Sequence, residues 1–229
     1  MKLKISDMTE ILNVSEKTIY RWIKSGKIPA YKINGQYRFS EKEIDGWISE
    51  NKMINKVEEK TNDVPINLPI LLEKGGIYEI EIENENIEVE ELIKIIVNTI
   101  NLPSNISKNK LIEQLIEREE MLSTGIGNGI AVPHTKEHII DKLEDERVIL
   151  ILLKNSIFYN SLDGEKIHTM FLVLSYVQKR HIELLAKISF LSRNSEFVKM
   201  LAGKEKENII EFIKFKKREW DERMGRVEN

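Results

Sequence analysis

The segment Asn51–Asp63, Asn-Lys-Met-Ile-Asn-Lys-Val-Glu-Glu-Lys-Thr-Asn-Asp, is polar, lacks a sustained apolar period and ends just before Pro65. Such a stretch has too few apolar side chains to join a core, so each flank must build its own. For a chain of 229 residues this predicts two domains. The expected organisation is a head over residues 1–51, a linker over 52–66, a larger domain over 67–223 and a tail over 224–229. The first turn or two of the linker can extend the helix before it.

Charge divides the same way. Residues 1–56 hold 11 Lys and Arg against 7 Asp and Glu, while the remainder holds 24 against 31. A basic head on an acidic body is the asymmetry expected where only the head meets nucleic acid. Cysteine is absent, which excludes disulfides, thiolate zinc sites and cysteine nucleophiles. The N-terminal Met-Lys-Leu-Lys-Ile-Ser-Asp has no apolar core of a signal peptide, and the runs Val148–Leu153 and Met170–Leu174 are strand-sized. A cytoplasmic protein without a membrane partner is expected.

In the head, apolar spacing predicts helices over Ser6–Leu12 and Glu16–Ser25, with Ser15 as N-cap of the second and Gly26 beyond its end. Strands follow over Ala30–Ile33 and Gln36–Ser40, joined by the hairpin dipeptide Asn34-Gly35, then a helix over Glu41–Ser49. Ile19 and Ile23, with Trp22, would hold the second helix on the core. That leaves Lys17, Thr18, Arg21 and Lys24 outward, where a recognition helix needs them. Lys32, Gln36 and Arg38 on the hairpin suit phosphate or minor-groove contact. Tyr20, Trp22, Phe39 and Trp47 read as core rather than as base-stacking platforms. The sequence Thr18-Ile-Tyr-Arg-Trp22, the run Gly26-Lys-Ile-Pro-Ala-Tyr-Lys-Ile-Asn-Gly-Gln-Tyr-Arg-Phe39, Ile44 and Trp47 together resemble the excisionase-like, MerR-related winged helix-turn-helix family. The resemblance implies duplex DNA as a partner and a small α+β fold; so small a module offers few phosphate contacts, and specific binding is expected to need a homodimer or a second protein.

After the linker, strands and helices alternate. Strands are expected over Ile77–Ile82, Val148–Lys154 and Ile167–Tyr176, and helices over Glu90–Ile100, Lys108–Met121, His181–Ser192, Glu196–Leu201 and Glu205–Arg223. Val148–Lys154 is apolar on both faces, as a central strand is. The pattern predicts an α/β layered domain with a mixed central sheet flanked by helices.

The chemistry concentrates in Arg118-Glu-Glu-Met-Leu-Ser-Thr-Gly-Ile-Gly-Asn-Gly-Ile-Ala-Val-Pro-His134. Gly125, Gly127 and Gly129 permit backbone N–H groups to converge on an anion, with Ser123 and Thr124 adding hydroxyl donors. Arg118 offers the planar charge that phosphoryl oxygens prefer, and His134 a nucleophilic ring nitrogen. His134 and His138 are four apart, a spacing that on a helix seats zinc, but without cysteine only His168 and His181 remain as nitrogen donors. His168 reads as a structural strand residue.

This stretch, with Asp163-Gly164 and His181-Ile-Glu-Leu-Leu-Ala-Lys-Ile188, resembles the type-2 enzyme IIA domains of the bacterial phosphotransferase system, over roughly Leu68–Glu211. The resemblance implies that His134 accepts a phosphoryl group from the phosphohistidine of an HPr-like carrier. Arg118 would be the active-site arginine and His181 the second histidine. No metal, nucleotide or other cofactor is implied, because the donor is already activated. An enzyme IIB or a regulated protein is the implied acceptor. Three functions stay open: a DNA-binding regulator controlled by phosphorylation, a soluble IIA carrier whose head localises it or binds protein, and a sensor that docks without accepting phosphate.

Overall fold

Strand β7, Arg147–Ile157, organises the larger domain. Its successive side chains alternate between two cores. Ile149, Ile151 and Leu153 point into one, and Val148, Leu150 and Leu152 into the other, all fully buried. Each such side chain contributes about 1.5–3 kcal/mol by leaving water. In the computed structural model, which describes residues 2–12, 14–33, 35–47, 64–161 and 163–223, β7 is an inner strand of a five-stranded sheet. The chain divides into two compact units, Met1–Val64 and Pro65–Asn229.

The second unit runs α4 (Leu68–Gly75), β4 (Ile77–Ile80), α5 (Val89–Thr99), α6 (Lys108–Met121), β5 (Gly125–Gly127) and β6 (Ile130–Ala131). A 3-10 turn at Leu143–Asp145 leads into β7, then β8 (Ile167–Leu174), α7 (Gln178–Leu191), α8 (Ser195–Ala202) and α9 (Lys206–Arg223). Sheet order is β4-β7-β8-β6-β5. β4 is parallel to β7 and β6 to β8, while β7 is antiparallel to β8 and β5 to β6. The sheet is therefore mixed. Helices α5 and α6 cover the face bearing Ile149 and Ile151; α4, α7, α8 and α9 cover the other.

Several elements of this unit differ from expectation. α4 begins at an Asn67 cap with Pro69 in its first turn, and its eight residues are too few to display a helical period. β5 and β6 are short because they form a tight hairpin whose turn residues Asn128 and Gly129 have φ of 56° and 69°. Asn128-Gly129 is thus a second hairpin dipeptide. α7 starts three residues earlier than apolar spacing suggested, since Arg180 is buried in an ion pair.

The first unit is α1 (Ile5–Leu12), α2 (Glu16–Lys24), strands β2 (Tyr31–Ile33) and β3 (Gln36–Ser40), and a helix α3 over residues 41–47. A strand unforeseen from the sequence, β1 (Lys2–Leu3), pairs with β3 and gives the order β1-β3-β2. Leu3, Met8, Ile19, Ile28, Phe39 and Ile44 form its core, with Trp22 and Trp47 packed against it, their ring centres 5.7 Å apart. Tyr20 is corrected from core to surface: it is 48% exposed and meets Tyr37 edge-on. Position 20 lies on the α2 face beside the exposed Lys17, Arg21 and Lys24, one residue past the buried Ile19. Asn34, the linker Asn51–Asp63, the end of the expected Glu41–Ser49 helix and the tail 224–229 lie outside the described residues.

Candidate active site

Helix α6 is capped by the Ser107 hydroxyl, which accepts from the Lys110 N–H, and carries Arg118 in its last turn. A cation there meets the negative end of the helix dipole. The chain then turns through Leu122 into the β5–β6 hairpin. Past β6 it stays beside β8: the Val173 N–H donates to the Pro133 carbonyl at 2.9 Å, and His134 forms a parallel bridge with Val173. β8 in turn delivers Ser175 and the start of α7, where His181 sits. Both histidines thus lie beyond the carboxyl ends of two parallel strands, where open α/β sheets place their ligand crevices.

Arg118 Nε donates to His134 Nε2 at 3.0 Å, and its Nη1 donates to the Leu122 carbonyl at 2.7 Å. His134 Nδ1 lies 2.8 Å from the Val132 carbonyl. A carbonyl only accepts, so the Nδ1 carries the proton and the Nε2 carries the lone pair. Burial pushes the His134 pKa below the usual histidine range, and the Arg118 charge adds to this against the opposing Val132 hydrogen bond. The ring is therefore neutral at neutral pH.

His181 packs on His134 with ring centres 4.8 Å apart. Its Nδ1 is 3.0 Å from the Ser175 hydroxyl. Burial first, then the neighbouring His134, His138 and Arg118, bring its pKa down to about 4. A buried ion pair anchors the turn that carries it: Arg180 Nε donates to both Glu146 oxygens at 3.0 and 2.9 Å, and the Tyr176 N–H donates to Glu146 at 3.2 Å.

An open cleft lies over His134, lined by Arg118, Ser123, Thr124 and Ile126 on one side and by Leu185, Ala186 and Ser189 of α7 on the other. The three glycines do not line it. A Cβ at Gly125 would meet the Ser161 hydroxyl at 2.6 Å, and one at Gly129 would collide with the His168 ring. Close packing accounts for glycine at positions 125 and 129, and the hairpin turn gives Gly129 its left-handed φ. Ser123 and Thr124 do reach the cleft, but with their hydroxyls engaged: Ser123 donates to the Tyr159 carbonyl and Thr124 to Glu119.

The histidine spacing 134/138 falls on irregular backbone, not on a helix. His138 Nδ1 faces the Ser175 carbonyl and His134 Nδ1 the Val132 carbonyl, so the two rings do not form the helical zinc pair. His168 contacts Thr169 and backs the hairpin. Glu119, Ser175, Glu146 and Arg180 were not singled out from the sequence. Only Glu119 carried a signal, its adjacency to Arg118.

On the head, Lys17, Arg21 and Lys24 are exposed on α2, and Lys32 and Gln36 on the hairpin. Thr18 is half-buried at the helix start, where its N–H donates to Ser15 and its hydroxyl shares a 3.1 Å hydrogen bond with the Ser15 hydroxyl. Capping occupies it, not outward contact. Arg38 folds along the hairpin, donating to Gln36 at 2.6 Å and to the Tyr37 carbonyl at 2.9 Å.

Residues 78–216 match the family described as phosphoenolpyruvate-dependent sugar phosphotransferase system, EIIA 2, and residues 3–52 match a helix-turn-helix domain. The chain is 29% identical over 136 residues to the PTS system fructose-specific EIIABC component of Bacillus subtilis, covering 58% of this chain and 21% of that protein. It is 31% identical over 97 residues to the nitrogen regulatory protein of Bradyrhizobium diazoefficiens, 42% of this chain and 61% of that one. It thus spans about a fifth of the first relative and three fifths of the second. The crystal structure of nitrogen regulatory protein IIA-Ntr from Neisseria meningitidis superposes on 60% of this chain and 93% of its own with a TM-score of 0.50 at 20% identity, a shared fold. The chain belongs to the EIIA 2 family of the phosphoenolpyruvate-dependent sugar phosphotransferase system and carries a helix-turn-helix domain ahead of that domain.

Proposed function

We propose that the protein is a phosphotransferase-linked DNA-binding regulator that accepts a phosphoryl group on His134 Nε2 from a phosphohistidine carrier of the HPr type. One observation carries the reading: a neutral His134 whose Nδ1 proton is tied to the Val132 carbonyl, leaving the Nε2 lone pair under the Arg118 guanidinium. In the transfer, the Nε2 lone pair attacks phosphorus as the donor's N–P bond breaks, and the bonding pair stays on the donor imidazole. Arg118 moves from the ring nitrogen to the phosphoryl oxygens, offering the N–H donors that a guanidinium presents to such oxygens. His181, neutral beside the new group, supports it without placing a second full positive charge in the cleft.

Leu122, Ile126 and Ile182 are exposed near these groups, which suits docking of a protein donor and, in turn, of an enzyme IIB or a regulated protein as acceptor. The helix-turn-helix domain favours duplex DNA and regulation over sugar uptake, and the exposed Lys17, Arg21 and Lys24 on one helix are the groups that would meet it. The test is incubation with enzyme I, HPr and phosphoenolpyruvate followed by intact mass. One acid-labile phosphoryl group is expected on the wild type and none on His134→Ala. Equal labelling of the mutant refutes the assignment.

A further inference from the structure

Arg118 and Glu119 are neighbours on the last turn of α6, and each takes hold of His134 from a different side. Arg118 does so directly, through Nε2. Glu119 does so through the backbone. Its two carboxylate oxygens accept from the Thr124 N–H at 2.8 Å and the Thr124 hydroxyl at 2.6 Å. The Thr124 carbonyl accepts from the Val132 N–H at 2.9 Å, and the Val132 carbonyl accepts the His134 Nδ1 proton at 2.8 Å. Starting at Glu119, the hydrogen bonds run to Thr124, Val132 and His134, and return to Arg118. The circuit closes on one turn of one helix.

Each link has a consequence for the ring. The orientation of the Val132 carbonyl decides which imidazole nitrogen is protonated. That orientation is set by the pairing of Val132 with Thr124, just before β5 and just after β6. Thr124 in turn sits where a charged acceptor grips both its donors, and hydrogen bonds to a carboxylate are the strong kind. The Tyr159 hydroxyl, buried beside Glu119 and Thr124, belongs to the same cluster, so water has little access to loosen it.

We infer that Glu119 is a positioning residue for phosphoryl transfer: by clamping Thr124 it aims the Val132 carbonyl at His134 Nδ1 and so keeps Nε2 unprotonated and facing Arg118. The inference rests on His134 being the phosphoryl acceptor, but its main consequence, the tautomer of the ring, is measurable without any transfer.

The experiment uses the full chain with two near-isosteric substitutions, Glu119→Gln and Thr124→Val. Imidazole nitrogen chemical shifts of His134, assigned by comparison with His134→Ala, report the tautomer. Labelling by enzyme I, HPr and phosphoenolpyruvate reports the rate. The wild type should hold the Nδ1–H form. Both variants should gain the Nε2–H form and label more slowly, on the order of tenfold, the rate equivalent of one hydrogen bond to a charged group. A wild-type tautomer distribution in either folded variant overturns the inference, whatever the rates. Failure of the wild type to label would instead remove the acceptor reading and leave the tautomer measurement to decide the role of Glu119.

Discussion

His134 has two ring nitrogens, and a backbone carbonyl two residues earlier in the chain selects between them. The groups around it are polar but few, so each has a separable role. Arg118→Ala removes the donor expected to follow charge onto the phosphoryl oxygens, and His181→Ala removes the adjoining ring. Each should slow labelling by about 10²-fold, the usual cost of one such donor, with the urea midpoint of Arg118→Ala close to wild type because its side chain does not fill the core. Wild-type rates in both variants would dismiss their roles. Protonation adds a pH signature. Both His134 and His181 have folded pKa values below the ordinary 6.5. The unfolded chain therefore binds protons first as pH falls, and stability present in full above about pH 6.5 drains away toward pH 4. Urea unfolding at pH 7 and pH 5 should show this loss, and His181→Ala should show less of it.

At the scale of elements, the ion pair of Glu146 and Arg180 joins the entry of β7 to the first turn of α7. Glu146 is fully buried and Arg180 nearly so. Breaking such a pair from one side strands a charge, at a cost of about 3–5 kcal/mol. Glu146→Ala should therefore lower unfolding free energy by that amount, measured by urea denaturation, while Glu146→Leu with Arg180→Met should recover much of it. An additive double variant would mean that the pair is not the anchor. This anchor also explains what the sequence hid. Apolar spacing placed the start of α7 at His181, because a buried arginine looks polar until its partner 34 residues away is known. The short β5 and β6 were hidden differently: Asn128-Gly129 reads equally as a glycine loop for an anion, and only the left-handed φ values distinguish a hairpin. By contrast β7, α6 and the ends of β3 were legible, since periodicity and caps act locally. Arg118, His134 and His181 were legible through the order of a motif. Glu119 and Ser175 act through contacts that the order alone does not display.

For the whole molecule, function turns on whether the helix-turn-helix unit binds DNA and whether the other unit modulates it. The head, residues 1–56, carries 11 basic against 7 acidic groups, enough for a few phosphate contacts. Its binding to duplex DNA should fall steeply with salt. Arg21→Ala on α2 should relax sequence preference, whereas Arg38→Ala on the hairpin should weaken all sequences alike. No salt-dependent retention at low ionic strength would point to a protein-binding head instead.

Coupling between the units is the most consequential prediction. The chain beyond residue 56 carries an excess of 7 acidic charges, and phosphorylation of His134 adds close to two more. Screening limits direct action to about 8 Å at physiological salt, so net charge alone does not carry a signal from His134 to a DNA-bound head. A regulator therefore needs an arrangement of the two units, or of two copies of the chain, that the phosphoryl group stabilises differently from the free ring. Such a switch works with a difference of roughly 1–3 kcal/mol, or about 5- to 150-fold in affinity. Titration of operator DNA with phosphorylated and unphosphorylated protein, at one fixed salt concentration, should show a shift of that size, and His134→Ala should be locked at the unphosphorylated affinity. If the two forms bind with the same affinity and stoichiometry, the IIA domain acts as a carrier, and the head gives it an address.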